Sequence, residues 1–299
     1  MSEARFDVEA LLQKCEELAA RFEYDVAIKF CQRILEQDAA NSEAHALLVH
    51  IFVDSGRVEE ARQALTHWLA LKDVGEEVVI QRWLFVAQLG EGREAVKAYE
   101  HAIALLKGRE LCSVHCAIAE LFLTDLCFED DAEEQCEVHL QAALAISPED
   151  AEALQLLAST RLSQSRPEEA STLLARSLVS WKELALTDEA YPTYDFRLSA
   201  ARLCLELQMQ EEADRILEQL VLEDDELCEP WYLLALVRFQ LKKQDADEAL
   251  ERAEQLLEAE EESSELSEAI AELRAAIGEC SASSTDDDEA EEDKQMTDC

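Results

Sequence analysis

From Pro148 to Ala170 the chain reads PEDAEALQLLASTRLSQSRPEEA. Leu154, Leu157, Ala158 and Arg161 recur at offsets of 3, 4 and 7, one face of a helix. The pattern breaks over Ser165 and Pro167, then resumes with Ala170, Leu174 and Ser177 on one stripe, which starts a second helix. Small residues at Ala158 and Ala170 suit two antiparallel helices whose backbones approach closely. The small residue that opens each second helix serves as a marker along the chain. Ala27, Ala61 and Ala95 are 34 apart, as are Cys136 and Ala170, while Ala213 and Ala249 follow at 43 and 36. A spacing that returns three times to one value predicts a row of helical hairpins with local insertions, not one globular core.

A helix-turn-helix unit of about 34 residues is the tetratricopeptide pattern. It predicts an all-α solenoid of about seven hairpins over residues 1–280. The first hairpin runs from about 8 to 41, with Leu11, Cys15 and Leu18 on its first helix and Ala27, Cys31 and Ile34 on its second. The second, 42–75, turns at Ser55-Gly56, where such a hairpin needs a positive φ. The third, about 76–110, turns at Gly90-Glu91-Gly92. The fourth carries about seven extra residues, placed in the acidic turn Phe128-Glu129-Asp130-Asp131. Between the fifth and sixth lies a nine-residue excess, roughly 183–195 with Tyr191-Pro192, read as an ordered loop with contacts of its own. From about Ser264 to Gly278, Leu266, Ile270, Leu273 and Ile277 form one stripe of a closing helix that covers the last apolar face, with Glu265, Glu268, Glu272 and Arg274 facing away. Residues 281–299 hold no large aliphatic residue except Met296 and are expected to be a disordered acidic tail.

Composition agrees and adds one strong signal. Six Gly and four Pro in 299 residues leave few helix breaks. The 68 acidic residues against 26 basic ones give a formal net charge of −42, which repels nucleic acid and anionic lipid and attracts basic partners. No apolar run follows Met1-Ser2-Glu3 and none approaches 18 residues, so neither secretion nor membrane spanning is expected. The ten cysteines are scattered, mostly on or near apolar stripes, and read as free thiols acting as small hydrophobes.

Catalytic chemistry is not expected. Glycine-rich phosphate loops, a nucleophile with its base, and clustered metal ligands are all missing from the sequence. Cys112, His115 and Cys116 share one helical turn but lack a fourth ligand and suit a packing face, so no metal and no cofactor are assigned. The histidines His45, His50, His67, His101, His115 and His139 read as ordinary helix residues. The groove positions that grip an acidic chaperone terminus in some tetratricopeptide proteins hold Leu12, Glu16, Ala46, His50, Ile80 and Leu84 here, which form no cationic clamp.

Acidic residues are more informative. The second position of the repeat holds Glu9, Glu43, Glu77, Glu152, Asp195 and Glu229. First helices line the concave groove in tetratricopeptide arrays, so this series forms a candidate ladder of carboxylates for a cationic partner. An acid in a first turn is also favoured by the helix dipole whether or not anything binds. Trp83, Phe122, Tyr194, Phe196 and Trp231 read as core, whereas Tyr232 and Phe239 fall on the groove side in the frame set by Trp231 and complete the candidate client-binding set.

Residues 190–243, with the preceding PEDAEALQLLAS and the acidic ending, carry a closer resemblance. Pro192, the run Tyr194-Asp195-Phe196-Arg197, Ala201-Arg202-Leu203, Glu223-Asp224-Asp225 and Trp231-Tyr232-Leu233-Leu234 resemble the dedicated assembly chaperones of large-subunit ribosomal protein four. The resemblance implies a non-enzymatic protein, monomeric and binding its client one to one. Such a protein takes up a newly made basic ribosomal protein in the cytoplasm and accompanies it to the nucleus for the pre-60S particle. Two other classes fit parts of the chain: a general tetratricopeptide scaffold, and an acidic histone-type chaperone suggested by the tail.

Overall fold

The computed structural model describes residues 7–71, 75–188, 190–257 and 266–279. All regular structure among them is helical. In order the helices are α1 (Val8–Ala19), α2 (Tyr24–Gln37), α3 (Ser42–Asp54), α4 (Val58–Leu69), α5 (Glu76–Leu89), α6 (Gly92–Ile103), α7 (Gly108–Leu123) and α8 (Ala132–Ile146). There follow α9 (Ala151–Ser163), α10 (Pro167–Trp181), α11 (Tyr194–Glu206), α12 (Gln210–Glu223), α13 (Cys228–Gln240), α14 (Ala246–Leu257) and α15 (266–279). Consecutive helices from α1 to α14 pair into seven antiparallel hairpins. The chain divides into two compact units, Met1–Pro148 and Glu149–Cys299. The tail expected over 281–299, and Glu265, lie outside the described residues.

Every marker residue sits at a helix–helix contact. Ala27, Ala61, Ala170 and Ala213 are fully buried, and Ala95, Cys136 and Ala249 nearly so. Any larger side chain there would force the paired backbones apart. In the first unit the core runs through Cys15, Cys31, Ile34, Ile51, Leu65 and Trp68. In the second it runs through Leu174, Trp181, Cys204, Leu217, Leu220, Leu234 and Leu250, and Ile270 and Leu273 of α15 close it. The eight described cysteines are all unbridged, and all but Cys127 are buried.

In four hairpins the two helices start by different means. Four first helices are capped by side chains, Asp7 accepting from the N–H of Glu9, Asn41 from Ala44, Asp150 from Ala153 and Thr193 from Phe196, whereas α5, α7 and α13 have no side-chain cap. The second helices α2, α4, α6, α8, α10 and α12 have no side-chain cap, and in five hairpins the first helix ends in a tight left-handed turn. Phe22, Gly56, Ser165, Gln208 and Lys242 occupy the same register in five hairpins, all with positive φ. The next residue's N–H bonds back five positions, as from Arg57 to Phe52 and from Met209 to Cys204, both at 2.8 Å.

Four of those five left-handed residues carry a side chain, and this sets a test of opposite signs at equivalent sites. Gln208→Gly and Lys242→Gly are each expected to raise stability by about 0.5–1 kcal/mol, since glycine removes the clash of Cβ with the backbone. Gly56→Ala has φ +70 but nothing within 4 Å of the added Cβ, so its loss comes from backbone strain alone. Thermal unfolding of the three variants checks the signs.

The described residues of both insertions make defined contacts. In the fourth hairpin the turn between α7 and α8 is held by Arg93, whose guanidinium bonds both Glu129 and Asp131 and lies 5.1 Å from the Phe122 ring centroid. Between α10 and α11, Tyr191 meets Trp181 edge-on and its hydroxyl donates to Gln219 at 3.3 Å. Arg197, only 2% exposed, binds that loop to the fold: Nε donates to the Pro192 carbonyl at 3.2 Å and Nη2 to Glu223 at 2.7 Å. Its guanidinium also lies over the rings of Tyr191 and Tyr194.

Candidate functional site

Each carboxylate of the predicted ladder stands in the first turn of a first helix: Glu9 on α1, Glu43 on α3, Glu77 on α5, Glu152 on α9, Asp195 on α11 and Glu229 on α13. The 34-residue register imposes this, since one position of a repeated hairpin recurs at one place in each unit. First helices neighbour one another within each unit, α1 with α3, α3 with α5, α9 with α11 and α11 with α13. The rungs therefore recur from hairpin to hairpin as Glu9, Glu43 and Glu77 in the first unit and as Glu152, Asp195 and Glu229 in the second.

The rungs are not equivalent. Glu9, Glu43, Glu77 and Asp195 are exposed, and among the described residues none has a basic side chain within ion-pair distance. Glu229 is half-buried and taken: Arg202 of α11 donates to both of its oxygens, Nε at 2.9 Å and Nη2 at 2.7 Å. A fork of that kind neutralises the carboxylate and fixes its direction. A cationic ligand reaching Glu229 must first displace Arg202.

Tyr232 and Phe239, expected on the groove side, are both half-buried against the core of the second unit. Burial, with Glu272 of α15 nearby, raises the Tyr232 hydroxyl above the usual phenol range. Their rings thus contribute to packing in the second unit as well as to any surface. Tyr194, at the head of α11, is pushed up to about 12 by burial and by Asp224 and Glu223.

Arginines are largely consumed inside the fold. Besides Arg93, Arg197 and Arg202, Arg57 pairs with Asp25 and Glu60, Arg166 with Glu169, Arg176 with Glu149, and Arg274 with Glu254 and Asp247. The most buried network joins α12 to α13: Asp214 accepts from Arg238 at 3.3 Å and from Lys243 at 2.6 Å. With 68 acids to 26 bases, internal pairing of the bases leaves a surplus of carboxylates for the surface.

The histidines differ in part from the sequence reading. His50 pairs with Asp54 at 2.9 Å. His115 faces His139 across α7 and α8, with Nδ1 atoms 2.9 Å apart and ring centroids 5.2 Å apart, so the two nitrogens point at one another. Burial lowers His115, and burial together with His115 brings His139 down to about 4. Near neutral pH both are uncharged, and one Nδ1–H donates to the other ring. His115 therefore directs its Nδ1 to His139 and not to the neighbouring thiols, while Cys112 donates to the Ala143 carbonyl at 3.5 Å.

Sequence reasoning missed Arg202, Arg238 and Asp214. The available signal for another, Arg197, was its register: the equivalent positions hold Leu11, His45, Val79, Leu154 and Trp231, where a charge is out of place.

Comparison with known proteins agrees with this architecture. A tetratricopeptide repeat model matches residues 18–77. A probable assembly chaperone of rpl4 from Schizosaccharomyces pombe is 37% identical over 206 residues, covering 64% of this chain and 61% of that protein. Its namesake from Emericella nidulans is 33% identical over 242 residues, covering 76% and 63%. The chain thus spans just over six-tenths of the length of these curated relatives. Among solved structures, the assembly chaperone of RpL4, Acl4 (residues 1–338), superposes with a TM-score of 0.67 at 29% identity, covering 82% of this chain and all of that one. The anaphase-promoting complex tetramer Cut9-Hcn1 matches at 0.56 with 16% identity over 88% of this chain and 55% of that one, a likeness of fold alone. The chain is an all-α protein of tetratricopeptide-repeat fold, similar in sequence and in structure to assembly chaperones of RpL4.

Proposed function

We propose that the chain is a dedicated ribosome-assembly chaperone. It captures a newly made, basic large-subunit ribosomal protein of the RpL4 kind and protects it until incorporation into the pre-60S particle. The observation that carries the reading is the likeness to Acl4 at 29% identity over the whole of that chain. The curated relatives bear the same description. The net charge of −42 supplies an independent physical reason for a cationic client.

The mechanism is equilibrium protection without catalysis. A client held with a Kd of about 10 nM is stabilised by about 11 kcal/mol against the free state. Release then comes from a competitor of like charge, such as ribosomal RNA, and not from nucleotide hydrolysis. Binding is one to one by a monomer. Encounter with the nascent client in the cytoplasm and delivery in the nucleus follow from the same reading.

Co-expression with RpL4 tests it. The ribosomal protein is expected to move from the insoluble to the soluble fraction and to co-purify with the chain. Its affinity should fall steeply between about 50 and about 500 mM NaCl, because exposed carboxylates are screened over that range. Insoluble RpL4 despite ample chaperone, or an affinity indifferent to salt, contradicts the proposal. Recovery instead of histones, or of a stable multisubunit complex, favours one of the two other classes.

A further inference from the structure

Four of the seven exposed large apolar side chains described in the first unit lie at the turns inside its hairpins; Leu69, Val138 and Ile146 lie elsewhere, at the end of α4 and along α8. In a stack of hairpins the turns inside each hairpin fall along a common side. Here ion pairs join successive turns: Arg57 to Asp25, Arg62 to Glu91, and Arg93 to Glu129 and Asp131. At one end of this edge is Phe22, 78% exposed, in the turn between α1 and α2. At the other is Phe128, 98% exposed, in the turn between α7 and α8. Between them, Val26 and Val58 are also exposed in the first turns of α2 and α4.

Neither ring is on a loose segment. Phe22 holds φ 60, a conformation an L side chain rarely adopts, and its ring meets Tyr24 edge-on at 6.1 Å. Phe128 is displayed by a turn that Arg93 clamps from both sides, and the buried Leu126 presses that turn against Gly92, whose added Cβ would come within 3.2 Å of the Leu126 side chain. A preorganised aromatic side chain loses little freedom on docking, which is what makes such a residue an effective anchor. Carboxylates flank both rings: Glu23 and Asp25 beside Phe22, Asp125 and Asp130 beside Phe128, all exposed.

We infer that this edge is a second contact for the same client, separate from the carboxylate ladder, receiving apolar side chains that are flanked by Lys or Arg. The inference rests on the chaperone reading. The ladder supplies a grip that salt weakens. The edge supplies one that salt leaves largely intact, since burying a phenyl ring changes affinity about ten- to a hundredfold by an apolar effect.

The test uses the full chain and purified RpL4, with Kd measured at about 50 and about 500 mM NaCl. Phe22→Gly and Phe128→Ser are each expected to raise Kd about tenfold, and the pair about a hundredfold, by similar factors at both salt concentrations. Phe22→Gly should at the same time raise the melting temperature, because it relieves the left-handed turn, so weaker binding cannot be ascribed to unfolding. Phe128→Ser should leave melting unchanged. A double variant that binds RpL4 within about twofold of the parent at high salt overturns the second contact and leaves the chaperone reading standing. Failure of the parent chain itself to bind RpL4 removes both.

Discussion

Arg238→Met is expected to destabilise the second unit by about 2–3 kcal/mol, less than the cost of stranding a buried charge outright because Lys243 still pairs with Asp214. Arg238 is 12% exposed and stands among Asp214, Glu218 and Asp245. Glu218 and Asp245 are about half exposed and can be solvated, but Asp214 is only 7% exposed. With the guanidinium gone, Asp214 keeps Lys243 alone while two further negative charges remain near. Asp214→Asn is expected to be milder, because Arg238 retains two other carboxylates. Combining Asp214→Asn with Arg238→Met should recover part of the loss, and chemical denaturation of the four proteins completes the cycle. Equal losses for the two single variants, or strict additivity in the pair, would contradict this account.

The same network predicts an alkaline limb. Asp214 raises the Lys243 ammonium above its ordinary value. A group whose folded pKa lies above its unfolded one contributes fully below the unfolded value, and the contribution fades as pH climbs through the folded value. Stability should therefore decline above about pH 10.4 more steeply in the parent than in Asp214→Asn.

Neutralising the exposed rungs of the first unit is the second large effect. Glu9→Gln, Glu43→Gln and Glu77→Gln together are expected to weaken RpL4 binding about ten- to a hundredfold at about 50 mM NaCl and only slightly at about 500 mM. Loss of negative charge from three helix N-termini should cost only some tenths of a kcal/mol each in stability. Glu229→Gln serves as the internal contrast. Arg202 already neutralises that carboxylate, so its removal should change binding little. If Glu229→Gln proves as damaging as the triple change, the relevant groove lies in the second unit. If neither matters, the ladder reflects helix capping alone.

Much of the fold was legible because its repeat leaves a mark that needs no tertiary knowledge. A small residue must stand where two helices touch, and Ala27, Ala61 and Ala95 recur at the hairpin period for that reason. The two insertions were legible as excess length, and their placement in the 124–131 and 183–193 connections agrees with the structure. What lay hidden depends on partners distant in sequence. Arg197 reads as one more polar residue until Glu223 and Pro192 surround it. Arg82 is 6% exposed, and it donates to the Leu71 carbonyl at 3.1 Å and lies over Trp68. It occupies a site that periodicity alone assigns to an apolar side chain. Division into two units was also illegible, since the 34-residue period between Cys136 and Ala170 continues through their boundary.

Internal use of the arginines has a thermodynamic consequence for any polycation the chain meets. With most of its described arginines paired internally and 68 acids to 26 bases, the surplus carboxylates are balanced in the free protein by diffusible sodium and potassium ions. A bound polycation replaces that atmosphere and sets it loose, together with the chloride or phosphate it brought, so capture draws on the entropy of small ions. Nucleic acid can run the same exchange in reverse at no expense of fuel.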